Sequence, residues 1–164
     1  LRKLAFKIIH STTLLLPAWH GILKDLQLGV RNMPRDVATR WNSTFDMLEF
    51  ALEYRTAIDR ITDKRKLGLG EYELDDEEWT LAKELHDILK HATMFFSRST
   101  PNLAMVIPAM DHIDTTFTNC IINKARLQPA IRTALGLAKK TLNRYYSLTD
   151  SSNVYRIAMG MFFF

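Results

Sequence analysis

The chain has 164 residues, of which 47% are hydrophobic and 24% charged, a composition typical of a globular protein and not of a disordered segment. Its formal net charge of +4 and its pI of about 9.3 are compatible with an anionic partner without requiring one. The single cysteine excludes an internal disulfide, one cysteine with five scattered histidines makes no zinc site, and no apolar run is long enough to span a membrane.

Apolar residues recur at helical spacing along the chain, whereas the alternation typical of strands is nearly absent. A first helix is predicted over residues 2–10. A second runs to about Leu28, with Pro17 in its first turn, where the missing N–H costs least, and Gly29 as its C-terminal stop. Residues 30–40 are predicted to form a loop.

A long helix is predicted from about Ser43 to Thr62. Its polar stripe is narrow and has apolar residues on both sides, so this helix is expected to lie at the centre of a bundle. Residues 63–75 are predicted to form a surface loop. The next helix begins in an acidic cluster, whose charge complements the helix dipole, and runs to about Phe96.

Three prolines mark the remaining helices. Pro101 opens one helix, which Pro108 is expected to kink or restart, and Pro129 begins another. The predicted inward face of the helix that begins at Pro129 consists of Ile131, Leu135, Ala138, Leu142 and Tyr145. A final segment follows Asp150.

The predicted fold class is therefore all-α. We expect an irregular bundle of about six or seven helices that forms a single helical domain over residues 1–164, with loops 30–40 and 63–75 as internal connections.

The most informative segment runs from Arg35 to Thr44. Here Trp41 stands between Arg40 and a predicted helix start, which brings together an aromatic plane, a planar cation and a helix N-terminus. A nucleic acid can use all three features. The alternative is that Trp41 only fixes the loop onto the bundle; both roles are compatible, because a packed indole can keep one edge exposed.

Cations are concentrated in the first quarter of the chain. Residues 1–41 contain seven Lys or Arg against two acidic residues; the cations are Arg2, Lys3, Lys7, Lys24, Arg31, Arg35 and Arg40. Such a surface suits contact with phosphate, although a solvated face is an equally open interpretation. The cations of residues 124–144 are spread around their predicted helix, which favours a solvated surface.

Little in the sequence favours catalysis. Asp111 and Asp114 are neighbours on the predicted helix whose apolar stripe, Met110, Ile113 and Phe117, faces the core. Asp111 points away from this stripe, so a metal pair is not favoured. Asp87 and His91 have the spacing of a surface contact, and Cys120 is expected to pack as a small hydrophobic residue. The sequence has no Ser-His-Asp set, no phosphate-binding loop and no His-Glu-x-x-His motif.

Residues 36–48, which read DVATRWNSTFDML, resemble a signature of hAT-superfamily transposases, and Glu49 continues the match. Further landmarks follow in the order found in that family, from Glu78 and Trp79 to the segment 151–158. The resemblance covers nearly the whole chain. It is closest to the transposon-derived type that contains a BED zinc finger.

The resemblance carries implications for chemistry. In that family an RNase H-like fold holds divalent metals, Mg or Mn, with two Asp and one Glu, and a large all-helical insertion precedes the Glu. The chain is thus expected to be a fragment covering the insertion, without the catalytic carboxylates, so that it is not an enzyme and has no cofactor in this segment. The end at Met161–Phe164 departs from the family pattern and is interpreted as a truncation or as translation past a missed splice site.

The resemblance also implies partners and a location. Trp41 is expected to stack near the end of transposon DNA, with Arg40 as its cationic neighbour. A nuclear location and homo-oligomers are implied for the parent protein, whereas neither a membrane nor a small-molecule substrate is expected.

Sequence and resemblance together predict a non-catalytic fragment of a hAT-type DNA transposase that helps to bind and position transposon-end DNA. The predicted DNA contacts are Trp41, Arg40, Arg35, Arg31 and Lys24. Asn42, Ser43 and Thr44 are predicted to be helix caps in preference to DNA contacts. The alternative is a helical protein–protein interaction module, or a decayed transposon remnant without DNA binding, which the large apolar content favours.

Overall fold

The computed structural model of the chain describes residues 1–37, 41–96, 103–122 and 127–160. All regular structure within these residues is helical, which confirms the predicted all-α class. There are eight α-helices in this described part, against the six or seven expected: α1 Arg2–His10, α2 Leu15–Asp25, α3 Trp41–Glu53, α4 Arg55–Thr62, α5 Asp76–Phe96, α6 Val106–Ile122, α7 Pro129–Asp150 and α8 Asn153–Gly160. Short 3₁₀ helices occupy Arg65–Leu67, Gly70–Tyr72 and Leu103–Met105.

The chain groups into two compact units, residues 1–86 and residues 87–164, called here the first and second units. Helices α1 to α4 belong to the first unit and α6 to α8 to the second, while α5 begins in the first unit and ends in the second. The single domain over residues 1–164 stays a prediction. None of the described helices combines the length and the apolar character needed to cross a lipid bilayer.

The core of the first unit is built around aromatic residues. Trp19 of α2 is fully buried, and its indole N–H donates a hydrogen bond to the carbonyl of Arg31 at 2.9 Å. The rings of Phe50 and Tyr54 stack with their centroids 4.2 Å apart. The Trp19 hydrogen bond holds the start of the segment between α2 and α3 against the helices, because it satisfies the buried indole N–H, which would otherwise be left unpaired.

The helix predicted from Ser43 to Thr62 is in fact two helices. α3 ends at Glu53, and Tyr54 takes a φ of −102° and a ψ of 21° before α4 begins. The Tyr54 side chain is buried, and its hydroxyl donates a hydrogen bond to the carbonyl of Gly29 at 3.2 Å. The predicted packing on both sides is confirmed, since residues of both apolar flanks are buried; they include Phe45, Met47, Leu48, Phe50 and Ile61. The position at the centre of a bundle stays a prediction.

Helix α2 ends earlier than predicted, at Asp25 and not near Leu28, and it stops without a glycine. Gln27 takes the left-handed conformation with a φ of 57°. The N–H of Leu28 donates to the carbonyl of Leu23 at 2.9 Å, and the N–H of Gln27 to the carbonyl of Lys24 at 3.0 Å. These two bonds form a Schellman motif, in which the left-handed position is usually glycine. Gly29 therefore lies beyond the end of α2 and does not terminate the helix.

In the second unit, Met110, Ile113 and Phe117 of α6 are buried as predicted, whereas Leu103, which precedes the helix at the same apolar spacing, is 43% exposed. Helix α6 begins at Val106, directly after the 3₁₀ helix Leu103–Met105, and Pro108 lies in its first turn, which favours the predicted restart. Pro101 lies outside the described residues. Pro129 begins α7, also as predicted. Ile131 and Leu135 are buried, but Tyr145, which the sequence predicts to face inward, is 54% exposed. The inward face of α7 is thus confined to its N-terminal part.

Candidate functional site

One face of α1 is cationic and exposed. The opposite face buries Leu4, Ala5 and Ile8. Because residues three or four apart lie on the same side of a helix, the remaining positions come together on the outer side. The exposed residues on that side are Arg2, Lys3, Phe6, Lys7 and His10.

This face of α1 borders a cleft of about 650 Å³ within the first unit. The residues that complete the lining from outside α1 are Arg35, Asp36 and Tyr72. The cleft is thus lined by four cationic side chains and one carboxylate, namely Arg2, Lys3, Lys7, Arg35 and Asp36. Its volume lies within the range of about 300–1,000 Å³ that is typical of ligand-binding clefts.

Asp36 connects α1 to the start of α3. Its carboxylate forms an ion pair with Arg2 and accepts hydrogen bonds from the hydroxyls of Ser43, at 3.1 Å, and Thr44, at 2.9 Å. Burial alone would raise the pKa of Asp36, but the donors Thr44, Arg2 and Ser43 outweigh burial and lower that pKa below its usual value. Asp36 is therefore ionised at neutral pH. It fixes the backbone next to Arg35.

Lys7 is paired at the edge of the cleft. Its ammonium lies 2.9 Å from a carboxylate oxygen of Glu71 and 4.8 Å from the ring centroid of Tyr72. The hydrogen bond from Lys7 to Glu71 raises the pKa of Lys7, with a smaller contribution from Tyr72, and lowers the pKa of Glu71. Both groups stay charged over the physiological pH range. Because the pair is exposed to solvent, it contributes little to stability.

An exposed aromatic ring lies on the same face of α1. Phe6 is 55% exposed and stacks on His10, with the ring centroids 3.9 Å apart and the planes inclined by 26°. The Nδ1–H of His10 donates to the carbonyl of Phe6 at 2.8 Å, which fixes the imidazole ring. Phe6 is thus held in place by its neighbour one helical turn away.

The structure brings only part of the predicted contact set to this cleft. Arg35 is exposed and lines it. Arg31 is also exposed, but its guanidinium lies 3.9 Å from Glu53 and 5.6 Å from the ring centroid of Phe50, near the end of α3. Lys24 is exposed in the last turn of α2.

The Arg-Trp pair itself is described only in part. Arg40 lies outside the described residues, as does the side chain of Trp41, while the backbone of Trp41 begins α3. Asn42, Ser43 and Thr44 therefore lie within the first turn of α3, and their role as helix caps stays a prediction. The Ser43 hydroxyl accepts a hydrogen bond from the N–H of Val37 at 2.8 Å.

The acidic pair on α6 is engaged by side chains of α7. Asp111 accepts a hydrogen bond from the hydroxyl of Tyr146 at 2.8 Å, and Asp114 forms an ion pair with Lys139 at 3.0 Å. Within the described ranges no group of three or more side chains is placed to hold a metal ion. Cys120 is a partly buried free thiol.

Sequence reasoning missed the aromatic part of the cleft. Phe6 and His10 are spaced one helical turn apart and lie opposite Leu4 and Ile8, so the helical period of α1 contains a signal for this pair. No comparable signal exists for Tyr72, because its approach to Lys7 depends on how distant parts of the chain pack.

A family model described as the ZBED1 RNase-like helical domain matches residues 5–88, slightly more than half of the chain. The matched residues coincide closely with the first unit and include Phe6, Lys7, Arg35 and Tyr72 of the cleft. No significant match was found among curated proteins or among solved structures.

Proposed function

We propose that this chain, which belongs to the family of the ZBED1 RNase-like helical domain, binds and positions DNA through the cleft beside α1. The matched family is a helical domain and not a catalytic one, and it fits a region derived from a hAT or ZBED-type transposase. The role is therefore one of contact and positioning. Cutting and joining of strands would fall to carboxylates and Mg or Mn elsewhere in a parent protein.

The observation that carries this proposal is the charge around the cleft. Arg2, Lys3, Lys7 and Arg35 line it, against the carboxylates of Asp36 in the lining and Glu71 at the edge. Arg2 pairs with Asp36 and Lys7 with Glu71, while Lys3 and Arg35 form no described ion pair. Phosphate contacts from Lys and Arg supply most of the affinity in non-specific binding to DNA, because they release the counterions condensed on it.

Three finer points belong to the proposal and are supported by the motif at residues 36–49. The bound DNA is the end of a transposon, Trp41 and Arg40 contribute to the same interface, and the parent protein acts in the nucleus as a homo-oligomer. Lys24 and Arg31 extend the basic surface of the first unit, where they add phosphate contacts away from the cleft.

A salt titration of binding to a short labelled hairpin DNA tests the proposal. The double variant Lys3→Gln with Arg35→Gln is expected to weaken binding and to make the slope of log affinity against log salt shallower by about two units, since about 0.9 unit is lost per phosphate contact. The matched control is Lys140→Gln with Arg144→Gln, which removes the same charge from exposed positions of α7. Equal losses in both double variants, or no binding at low salt, would overturn the proposal.

The alternative, a protein–protein interaction module, is favoured by one observation in the second unit. Large apolar side chains of α7 and α8 are more than half exposed, namely Leu137 at 63%, Leu148 at 63%, Val154 at 61% and Ile157 at 62%. Exposed apolar residues on neighbouring helical turns mark interaction surfaces when they form a contiguous patch. Self-association or partner binding that Leu137→Ser abolishes, together with a lack of DNA binding, would support this alternative.

A further inference from the structure

We infer that the cleft beside α1 takes one unstacked nucleotide of a DNA strand, with its base on the ring of Phe6 and its phosphates on the surrounding cations. This inference rests on the proposed function and specifies which DNA feature the cleft recognises. It depends on the placement of one exposed ring among charged residues that line the same cleft.

Phe6 has an open face. His10 covers one side of the ring at a centroid distance of 3.9 Å, yet Phe6 is still 55% exposed, so the opposite side is accessible to a second planar group. A ring that is already held by a stacked neighbour loses little conformational freedom when it binds. Every nucleobase has a face that can stack on such a ring, whatever its sequence.

Tyr72, the other aromatic residue of the lining, is engaged differently. The ammonium of Lys7 lies 4.8 Å from its ring centroid, so one face of Tyr72 is occupied by a cation. Tyr72 is only partly exposed, whereas Phe6 is 55% exposed, so Phe6 is the ring that offers a face to a base, and Tyr72 with Lys7 forms part of the charged surroundings. This division of roles makes Phe6 the residue to test.

The cations suit the phosphates that flank such a base. Arg35 is exposed and has no carboxylate partner among the described residues, so its guanidinium can form two parallel hydrogen bonds to a phosphate. Lys3 lines the same cleft, and its positive charge helps to lower the pKa of the Glu71 carboxyl. A stacking ring beside cations is the usual arrangement of sites for single-stranded nucleic acid.

The ligand is an unstacked base because the bases of a duplex cover one another. A protein that docks on paired DNA reaches phosphates and base edges, whereas a base face becomes available only when the nucleotide leaves the stack. The volume of about 650 Å³ accommodates a group of nucleotide size.

The test compares a hairpin that has a fully paired stem and a non-nucleotide linker as its loop with the same hairpin carrying one bulged nucleotide in the stem. The full chain is expected to bind the bulged hairpin about tenfold more tightly. Phe6→Ala removes this preference, so that both hairpins bind with equal affinity, while Phe6→Trp preserves the preference. Leu14→Ala is the control, because Leu14 is similarly exposed, at 57%, and lies outside the cleft.

A second readout follows the base itself. With 2-aminopurine at the bulge, stacking on Phe6 quenches its fluorescence when the unaltered chain binds, and Phe6→Ala restores the emission of the complex. If the Phe6→Ala variant quenches the fluorescence as strongly as the unaltered chain does, the base does not stack on Phe6 and the inference is overturned. This readout on the unaltered chain does not depend on how well any variant folds.

The outcomes separate this inference from the proposed function. If neither hairpin binds, the proposed function fails. If both bind equally, or if the preference survives Phe6→Ala, DNA binding stands and this inference alone is overturned. Free dAMP is the other source of the same chemistry; binding of dAMP as tight as binding of the bulged hairpin would overturn the assignment to a strand.

Discussion

Arg2 and Asp36 form an ion pair that joins the first turn of α1 to the segment before α3. The carboxylate is fully enclosed, with 0% of its side chain exposed, whereas the Arg2 side chain is 57% exposed. Hydrogen bonds from Ser43 and Thr44 complete the environment of the carboxylate. The cationic face of α1 and the position of Arg35 are therefore coupled through one anion.

The enclosed carboxylate gives the first unit a specific acid sensitivity. Asp36→Asn is expected to lower the free energy of unfolding by about 1–3 kcal/mol at neutral pH, because three donors lose their charged acceptor. Since the folded pKa of Asp36 is lowered, its stabilisation is complete above the unfolded pKa, about 3.9, and is lost as the pH falls through the folded pKa. Urea unfolding of the unaltered chain and of Asp36→Asn should therefore show a difference in the free energy of unfolding at neutral pH that shrinks below about pH 4.

Asp46→Asn provides the control for Asp36. Asp46 is exposed on α3, so removal of its charge should change the unfolding free energy by no more than about 0.5 kcal/mol. If the two variants lose the same stability, or if the Asp36 difference persists unchanged in acid, the role assigned to Asp36 is wrong.

The stop of α2 can be improved. Gln27→Gly is expected to raise the free energy of unfolding by about 0.5–1 kcal/mol, because relief of the left-handed strain exceeds the extra entropy that glycine gives the unfolded chain. Gln27→Ala keeps the β-carbon and should bring no gain. The midpoint of urea unfolding measures the stability of both variants. An equal gain from Gln27→Ala would show that the left-handed conformation of Gln27 is not strained.

Glu71 competes with DNA for Lys7. Glu71→Gln is expected to strengthen binding to hairpin DNA by about two- to fivefold, because the exposed pair is weak and its loss frees a cation at the cleft. Glu73→Gln removes the same charge from the same segment and has no described bond to Lys7, so its effect should be smaller. Fluorescence anisotropy at constant salt compares them, and equal effects would assign the gain to net charge alone.

The hydrogen bond between Asp111 of α6 and Tyr146 of α7 can be followed through the titration of the Tyr146 hydroxyl. The hydrogen bond from Tyr146 to Asp111 raises the pKa of Tyr146, so this bond contributes stability below the ordinary value of 10.0 and loses it as the pH rises through the raised pKa. Asp111→Asn should lower the pKa of Tyr146, measured by the ultraviolet absorbance of phenolate.

Neighbouring tyrosines supply the control for that titration. The effect of Asp111→Asn should vanish in a Tyr146→Phe background and persist in a Tyr145→Phe background, because the Tyr146 hydroxyl is the described donor to Asp111. An effect that persists without the Tyr146 hydroxyl would show that another group senses the charge of Asp111.

Much of the fold is predictable because its determinants are local. The apolar spacing in α1 and the proline at the start of α7 act within one or two turns, and both helices begin where the sequence predicts. The break at Tyr54 accompanies a hydrogen bond to Gly29, 25 residues away, which no local pattern contains. The early stop at Gln27 runs against residue preference, so the glycine rule points to the wrong position.

The site is predictable only in its charge. Concentration of cations in the first quarter of the chain indicates a basic surface, and Arg35 does line the cleft. Phe6 is easily mistaken for a core residue, because residue type alone does not tell which side of α1 it occupies. Tyr72 meets Lys7 across a separation of 65 residues, so its contribution depends on tertiary packing.

Two aromatic side chains donate hydrogen bonds to the backbone at the start of the segment between α2 and α3. The indole of Trp19 holds the carbonyl of Arg31, and the phenol of Tyr54 holds that of Gly29. The main chain there is already ordered before any ligand arrives, while the guanidinium of Arg31 stays in solvent. Recruitment of Arg31 by an anion therefore requires no ordering of the backbone, and costs only side-chain rotamer entropy and the contacts with Glu53 and Phe50.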